Sequence, residues 1–328
     1  MATWGEILTE VMESAKQHGG APDLDGIRRK YLRQLHDKTG RDTILYSTDW
    51  LGGGNPQSSI VLEDMQGLME VSKGLNGPEL DVILHSPGGS AEATASLVRY
   101  LRKKFTHIRV FVPLAAMSAA TMLALSADEI VMGKHSQLGP IDPQLISPQG
   151  WATPARAVLE QFERAKRECA ADPSVVAAWY PILQQYGTGL LDQCEKAEQL
   201  ARRLVGEWLA AYMFKGAADA EVKAKKVADY FADYGKHQSH NLGIDREQAR
   251  DQGLNVTDLE ADDGLQDAVL SVHHATIHTF AGAAVKIVES HLGKAFVKLS
   301  QVVQMQIPMN VQLPGPQLGP NVVVNLAG

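Results

Sequence analysis

Cysteine is nearly absent. Cys169 and Cys194 stand far apart in a segment of helical pattern, with no CxxC or Cys/His ligand spacing around them. That excludes a disulfide framework and a zinc site and leaves two reduced, buried thiols. Lysine and arginine total 31 against 38 aspartates and glutamates, a net charge of -7, so the clustered positive charge of a general nucleic-acid surface is missing. The short basic runs, Arg28-Arg29-Lys30 and Lys223 to Lys226, read as solvated helix faces. No stretch reaches the roughly 18 apolar residues of a membrane span. The first residues, MATWGEILTEVMESAKQHGG, carry acids in an amphipathic pattern where a signal peptide has a basic start and an apolar run. A soluble, cytoplasmic protein with no nucleic-acid or membrane partner is expected. A P-loop GxxxxGK and a GxGxxG are also missing, which removes an ATPase module and a nicotinamide site. His273, His274 and His278 lie at helical spacing without the Glu of HExxH and read as a polar helix face. No cofactor and no metal is expected.

What is present suits a large core: 45% of 328 residues are hydrophobic. Residues 1–40 alternate apolar and charged positions at helical spacing, broken by Gly19-Gly20 and Pro22, and predict a helical N-terminal extension. Thr43 to Ser47 read as a strand, followed by a glycine-rich loop from Trp50 to Asn55. Ile60, Leu62, Met65, Leu68 and Met69 predict an amphipathic helix over 60–73. Two strand, turn and helix units come next. Leu80 to His85 stops at Ser86-Pro87-Gly88-Gly89 and reopens as a helix from Glu92 to Lys104; Ile108 to Pro113 runs through Leu114-Ala115-Ala116-Met117-Ser118 into a helix from Ala119 to Ser126. A third strand, Glu129 to Gly133, ends near His135 and the Gly139-Pro140-Ile141-Asp142-Pro143 turn. Alternating strands and helices predict right-handed crossovers, a mainly parallel sheet and chemistry beyond the strand ends. The expected division is an extension at 1–40, a catalytic domain at 41–262 with a helical insertion at about 153–235, a C-terminal helix at 263–300, and a Pro-rich extended tail at 301–328 suited to docking on a partner.

Leu84-His85-Ser86-Pro87-Gly88-Gly89-Ser90, then Ala116-Met117-Ser118-Ala119-Ala120, then Asp128-Glu129-Ile130-Val131-Met132 resemble, in that order and spacing, the Clp proteolytic subunit and signal-peptide-peptidase group. Leu138-Gly139-Pro140-Ile141-Asp142-Pro143-Gln144 and Ser239-His240-Asn241-Leu242-Gly243-Ile244 are similar to later motifs of one branch, the serine dehydrogenase proteinase family. The resemblance covers about residues 43–295. It implies an α/β, Clp-protease/crotonase-like fold of repeated strand-strand-helix units with a mainly parallel sheet, plus helical N-terminal and C-terminal additions. It also implies a serine endopeptidase acting on peptides or unfolded protein, assembled as a homo-oligomeric ring, with any unfoldase supplied as a separate ATPase.

The residues support part of this on chemical grounds. An acyl-transfer nucleophile belongs at an exposed strand-to-helix turn among backbone N–H groups, and Ser118 occupies such a turn among small neighbours that let a substrate backbone approach. Ser118 is equally a good N-cap; the upstream Pro-Gly-Gly favours the nucleophile. Gly88 and Gly89 suit an oxyanion hole built from the Gly89 and Ala119 N–H groups, with Gly88 and Met117 beside the substrate. For the base, a His or Lys is required, and a His needs an orienting group. Where the Clp subunit carries its His, this chain has Ile141-Asp142. The family order Ser, Asp, His, carried over by motif, implies Ser118, Asp142 and His240. His237, His135 and, in a Ser-Lys arrangement, Lys134 stay open as alternatives. Two other functions fit the same fold: acyl-CoA chemistry of the crotonase kind, which leaves Ser118 without a role, and a catalytically decayed scaffold that binds peptides or a partner ATPase.

Overall fold

The computed structural model describes residues 3–52, 55–146 and 152–300; the Pro-rich tail expected from residue 301 lies outside them. The N-terminal helices begin at side-chain caps. Thr3 and Glu6 close a capping box on α1 (Trp4–Gln17), and Asp23 accepts from the Gly26 N–H to start α2 (Leu24–Thr39). β1 (Asp42–Thr48) leads to α3 (Asp64–Ser72), β2 (Glu79–His85), α4 (Ala91–Lys104) and β3 (His107–Val112). A short β4 (Ala115–Ala116), α5 (Ala119–Leu125), β5 (Glu129–Met132), β6 (Gln137–Leu138) and the hairpin of β7 (Gln144–Ile146) with β8 (Ala152–Pro154) follow. A helical arm comes next, α6 (Ala155–Ala171), α7 (Val176–Leu183), α8 (Leu190–Ala211), α9 (Ala220–Phe231) and α10 (Tyr234–His237). The described residues then end with α11 (Arg246–Asp251), β9 (Val256–Asp258), α12 (Asp263–Phe280), β10 (Ala284–Ser290) and β11 (Ala295–Leu299).

Seven strands form one sheet in the order β11-β10-β1-β2-β3-β5-β9. The five from β1 to β9 are parallel, and β10 and β11 add an antiparallel edge. The central strands β2 and β3 read as near-continuous apolar runs because both faces are covered. Ile44, Tyr46, Val82, Leu84, Val110 and Met132 point to one side, against α3, α4, α5 and the arm. Leu45, Ile83, Phe111, Val131 and Ile287 alternate with them and meet Leu32 and Leu35 of α2 and Val269 and Val272 of α12.

Four expectations are corrected. The helix predicted over 60–73 begins only at Asp64, because the Ile60 backbone is extended and paired with Gly89. The C-terminal helix predicted over 263–300 ends at Phe280, and 284–299 become two strands of the main sheet, so the sheet runs past residue 262. Both segments carry apolar residues at spacings compatible with either state, and strand partners distant in sequence decide. Of the two thiols expected to be buried, Cys194 is, but Cys169 is half-exposed. Arg28, expected on a solvated face, is fully buried: its Nε donates to Glu289 and its Nη1 to Thr279 Oγ1.

The Arg28–Glu289 contact fastens α2 to β10. Glu289, itself fully buried, also accepts from Arg29 Nε. Glu289→Ala would strip Arg28 of its buried carboxylate partner and leave it Thr279 and the exposed Asp25, so it should lower the unfolding free energy by about 3 kcal/mol. Denaturant titration measures this; a loss under about 1 kcal/mol would show that the pair does not carry the docking of α2.

Candidate active site

Beyond the carboxyl ends of the main strands, four short extended segments bond side by side. Ser86 bridges Ala116 in parallel, β4 pairs with β6 in parallel, and Leu138 bridges Ile244 antiparallel. The bonds are ordinary backbone ones: Met117 N–H to Ser86 O at 2.9 Å, Gly139 N–H to Ala116 O at 3.0 Å, and a reciprocal pair between Leu138 and Ile244 at 2.9 and 2.7 Å. The directions have a consequence. Going forward from Ser86 reaches Gly88-Gly89, forward from Ala116 reaches Ser118, forward from Leu138 reaches Asp142, and backward from Ile244 reaches His240. All four lie past the same edge of this ladder. Thr121 ties it from behind, its Oγ1 donating to Ala116 O and accepting from the Gly139 N–H.

Ser118 precedes α5 with φ 50° and ψ -121°, a left-handed conformation that side chains rarely adopt, and its side chain makes no capping hydrogen bond. The N-cap role open in the sequence is therefore unfilled, and the hydroxyl is held at the turn at a cost of about 1–3 kcal/mol of backbone strain. The Gly88-Gly89 turn presses against it. A Cβ on Gly88, at φ +97°, would lie 2.5 Å from Met117 O, 2.7 Å from Ala119 N and 2.7 Å from Ser118 Cβ. Only glycine fits there. The N–H groups of Gly89 and Ala119 have no acceptor among the described residues, whereas the Gly88 N–H donates to Ser86 Oγ. Met117 is buried, with its side chain packed toward Gly139.

Asp142 is buried and His240 partly exposed, and His240 Nδ1 donates to Asp142 Oδ1 at 2.7 Å. A carboxylate oxygen accepts, so this bond places the imidazole proton on Nδ1 and leaves Nε2 as the lone-pair nitrogen, without a partner among the described residues. Sequence reasoning missed Gln144 as a site residue: its Nε2 donates to Asp142 Oδ2 at 2.7 Å and so orients the carboxylate. The available signal was its place two residues after Asp142 in a tight turn. Ile141 N–H, bonded to Phe231 O, anchors the same turn to the arm.

The competing bases stand elsewhere. His237 is buried with Nε2 donating to Tyr230 O, His135 Nε2 donates to Pro113 O, and the exposed Lys134 gives its N–H to Glu260. His273 and His278, expected on a polar face, are buried; His273 meets His85 edge to face at 5.1 Å between centroids. His85 sits one residue before the ladder and donates Nδ1–H to Ala115 O at 3.1 Å, and burial depresses its pKa from 6.5 to about 4. It is a neutral support for β4.

With that geometry in place, the comparisons assign the class. Residues 60–263 match the family described as ClpP-like SDH-type serine proteinase, and the chain belongs to that family. The match spans every residue of the ladder and its edge. Two uncharacterized proteins of Methanocaldococcus jannaschii are similar: one is 27% identical over 234 residues, covering 70% of this chain and 73% of the relative, the other 32% identical over 148 residues, covering 40% and 47%. Among solved structures, two mutant forms of a membrane-bound stomatin-specific protease, one holding a substrate peptide, are each 16% identical over 60% of this chain. They are covered to 74% and 70%, with TM-scores of 0.34 and 0.35. Among the described residues no helix is long and apolar enough to cross a membrane.

Two outcomes follow from the site's geometry. Ser118→Gly should be more stable than Ser118→Ala by about 1–2 kcal/mol, since glycine relieves the left-handed strain; equal melting of the two variants would reject that backbone conformation. For His85, the unfolded chain takes up a proton near 6.5 and the folded one only near 4. Its contribution to stability is therefore complete above pH 6.5 and is lost as pH falls toward 4, by about 3 kcal/mol. Unfolding titrations from pH 7 to 4 should lose that slope in His85→Gln; parallel curves for variant and wild type would contradict the burial.

Proposed function

We propose that this protein hydrolyses peptide bonds, with Ser118 as nucleophile, His240 as general base, Asp142 as its orienting acid, and the Gly89 and Ala119 N–H groups as the oxyanion hole. The observation that carries the reading is the Asp142–His240 hydrogen bond, formed between residues 98 positions apart and set past the same ladder edge as the strained Ser118. In the reaction, His240 Nε2 takes the Ser118 proton as Oγ attacks the scissile carbonyl carbon. The two N–H groups donate hydrogen bonds to the oxyanion that develops on its oxygen. Collapse of the tetrahedral intermediate breaks the C–N bond, and His240 returns the proton to the leaving amine. Water, deprotonated by the same nitrogen, then releases the acyl group and restores Ser118. Asp142 stays ionised and stabilises the imidazolium that forms twice per turnover.

The Asp142–His240 pair and the strained Ser118 support this reading over crotonase chemistry, which would use the same backbone donors but leave that pair and Ser118 without work. Unfolded protein or peptide as substrate, a homo-oligomeric ring and a separate ATPase belong to the same proposal, resting on the family. Sedimentation tests the ring directly.

Treatment with a fluorophosphonate followed by intact-mass and peptide mapping should give one adduct, on Ser118, absent from Ser118→Ala. His240→Ala should lower peptide cleavage by about three or more orders of magnitude, as triad removals do, while His237→Ala stays within about threefold of wild type, as expected of a residue outside the reacting set. A folded protein that takes no adduct would overturn the peptidase reading in favour of a scaffold. Loss of activity on His237→Ala rather than His240→Ala would move the base by one turn.

A further inference from the structure

Lys286 on β10 and Asp64 at the start of α3 take no part in that reaction, yet both are fully buried and paired. Lys286 Nζ donates to Asp64 Oδ1 at 2.8 Å, to Oδ2 at 2.7 Å and to the Ser59 carbonyl at 2.7 Å. Asp64 Oδ2 also accepts from Tyr46 Oη at 2.7 Å and from the Val61 N–H at 3.0 Å. The ammonium thus holds the residue before Ile60 and the carboxylate the residue after it. Lys298, bonded to Glu63, stands 3.8 Å from Asp64 Oδ1 and is the other cation facing the pair.

Ile60 is the segment against which the glycine turn is shaped. Its N–H donates to Gly88 O at 2.7 Å and its carbonyl accepts from the Ser90 N–H at 2.9 Å, so Gly89 is spanned by two bonds to one residue. A Cβ on Gly89 would lie 2.4 Å from both Ile60 N and Ile60 O, which leaves the turn no slack on that side. Gly89 N–H, free of an internal acceptor, points where these contacts leave it.

We propose that Lys286 and Asp64 are positioning residues for the oxyanion hole: they lock Ser59–Val61, and through Ile60 they set the direction of the Gly89 N–H. This rests on Gly89 being an oxyanion donor in the proposed peptidase reaction. A buried pair suits the task because removing both charges together is often tolerated by a fold, whereas the two backbone groups held here need polar partners. The loss therefore falls on the geometry of the turn.

The decisive protein is the double variant Asp64→Asn with Lys286→Met, which removes both charges at near-constant volume and avoids an unpaired buried ion. Two quantities are read on the full chain. Amide exchange of Ile60 and Ser90, the two N–H groups spanning Gly89, should accelerate by about tenfold or more as those bonds loosen. Peptide kcat should fall by about tenfold to a hundredfold with KM held within about threefold, the signature of a misplaced transition-state donor. Exchange at both amides unchanged from wild type, or an unchanged kcat in the folded variant, would overturn the proposal. Tyr46→Phe removes a single hydrogen bond to Asp64 and should move both readouts in the same direction by a few-fold; it decides the matter if the double variant does not fold. Should the wild type take no fluorophosphonate and cleave no peptide, the peptidase reading fails on its own. The exchange result then still decides whether the pair holds the glycine turn.

Discussion

The candidate site depends on a run of backbone hydrogen bonds four segments wide and a few residues long. The Ser86, Ala116, Leu138 and Ile244 segments pair across the ends of the main sheet, and their parallel and antiparallel senses bring residues from four distant stretches to one edge. The main sheet supplies rigidity through apolar cover on both faces, and the ladder converts that rigidity into position. Because the ladder is so short, each of its members needs an independent tie. Thr121 braces the middle, His85 supports Ala115, and Phe231 of the arm holds Ile141.

The turn between Gly88-Gly89 and Ser118 shows what that precision costs. Ser118 accepts a conformation that favours glycine, while the glycines accept contacts that no Cβ could make. Strain at one turn and close approach at the other are complementary. Placing Ser118 in the strained position frees its hydroxyl from capping, and emptying the facing turn of side chains exposes the N–H groups. A serine in relaxed helical geometry would keep its hydrogen bond to the helix and lose its access.

Much of this was legible in the residues, and the limits have physical causes. The parallel core announces itself because strands covered on both faces have near-continuous apolar runs ending in turn residues, as Leu80 to His85 and Ile108 to Pro113 do, each broken once by a charge, Asp81 and Arg109, that pair with each other. Pro-Gly-Gly followed by Ala-Met-Ser reveals the glycine turn and the strand-to-helix serine, since the backbone constraint leaves a mark in residue type. The Asp142–His240 bond left only motif similarity, because its partners lie 98 positions apart and pairing at that range has no local signature. Ile60 was misread as helical for the same reason: its extended state is dictated by Gly89, not by its neighbours in sequence. Arg28 and Glu289 pair across 261 positions, and a run of three basic residues looks solvated until its partner strand is known.

The buried Lys286–Asp64 pair extends this pattern of long-range dictation into the polar interior. Apolar residues of equal size would fill the same volume, and in many proteins such replacement is neutral or stabilising. They would leave the Ser59 carbonyl and the Val61 N–H without partners, however, in a place where neighbouring backbone has none to spare. Water satisfying those groups would permit the segment to shift by tenths of an ångström, which packing tolerates and the proposed oxyanion donor would not. The ion pair is thus better explained by direction than by stability. It would convert the antiparallel edge of β10 and β11, distant in sequence from every catalytic candidate, into a fixed reference for the glycine turn.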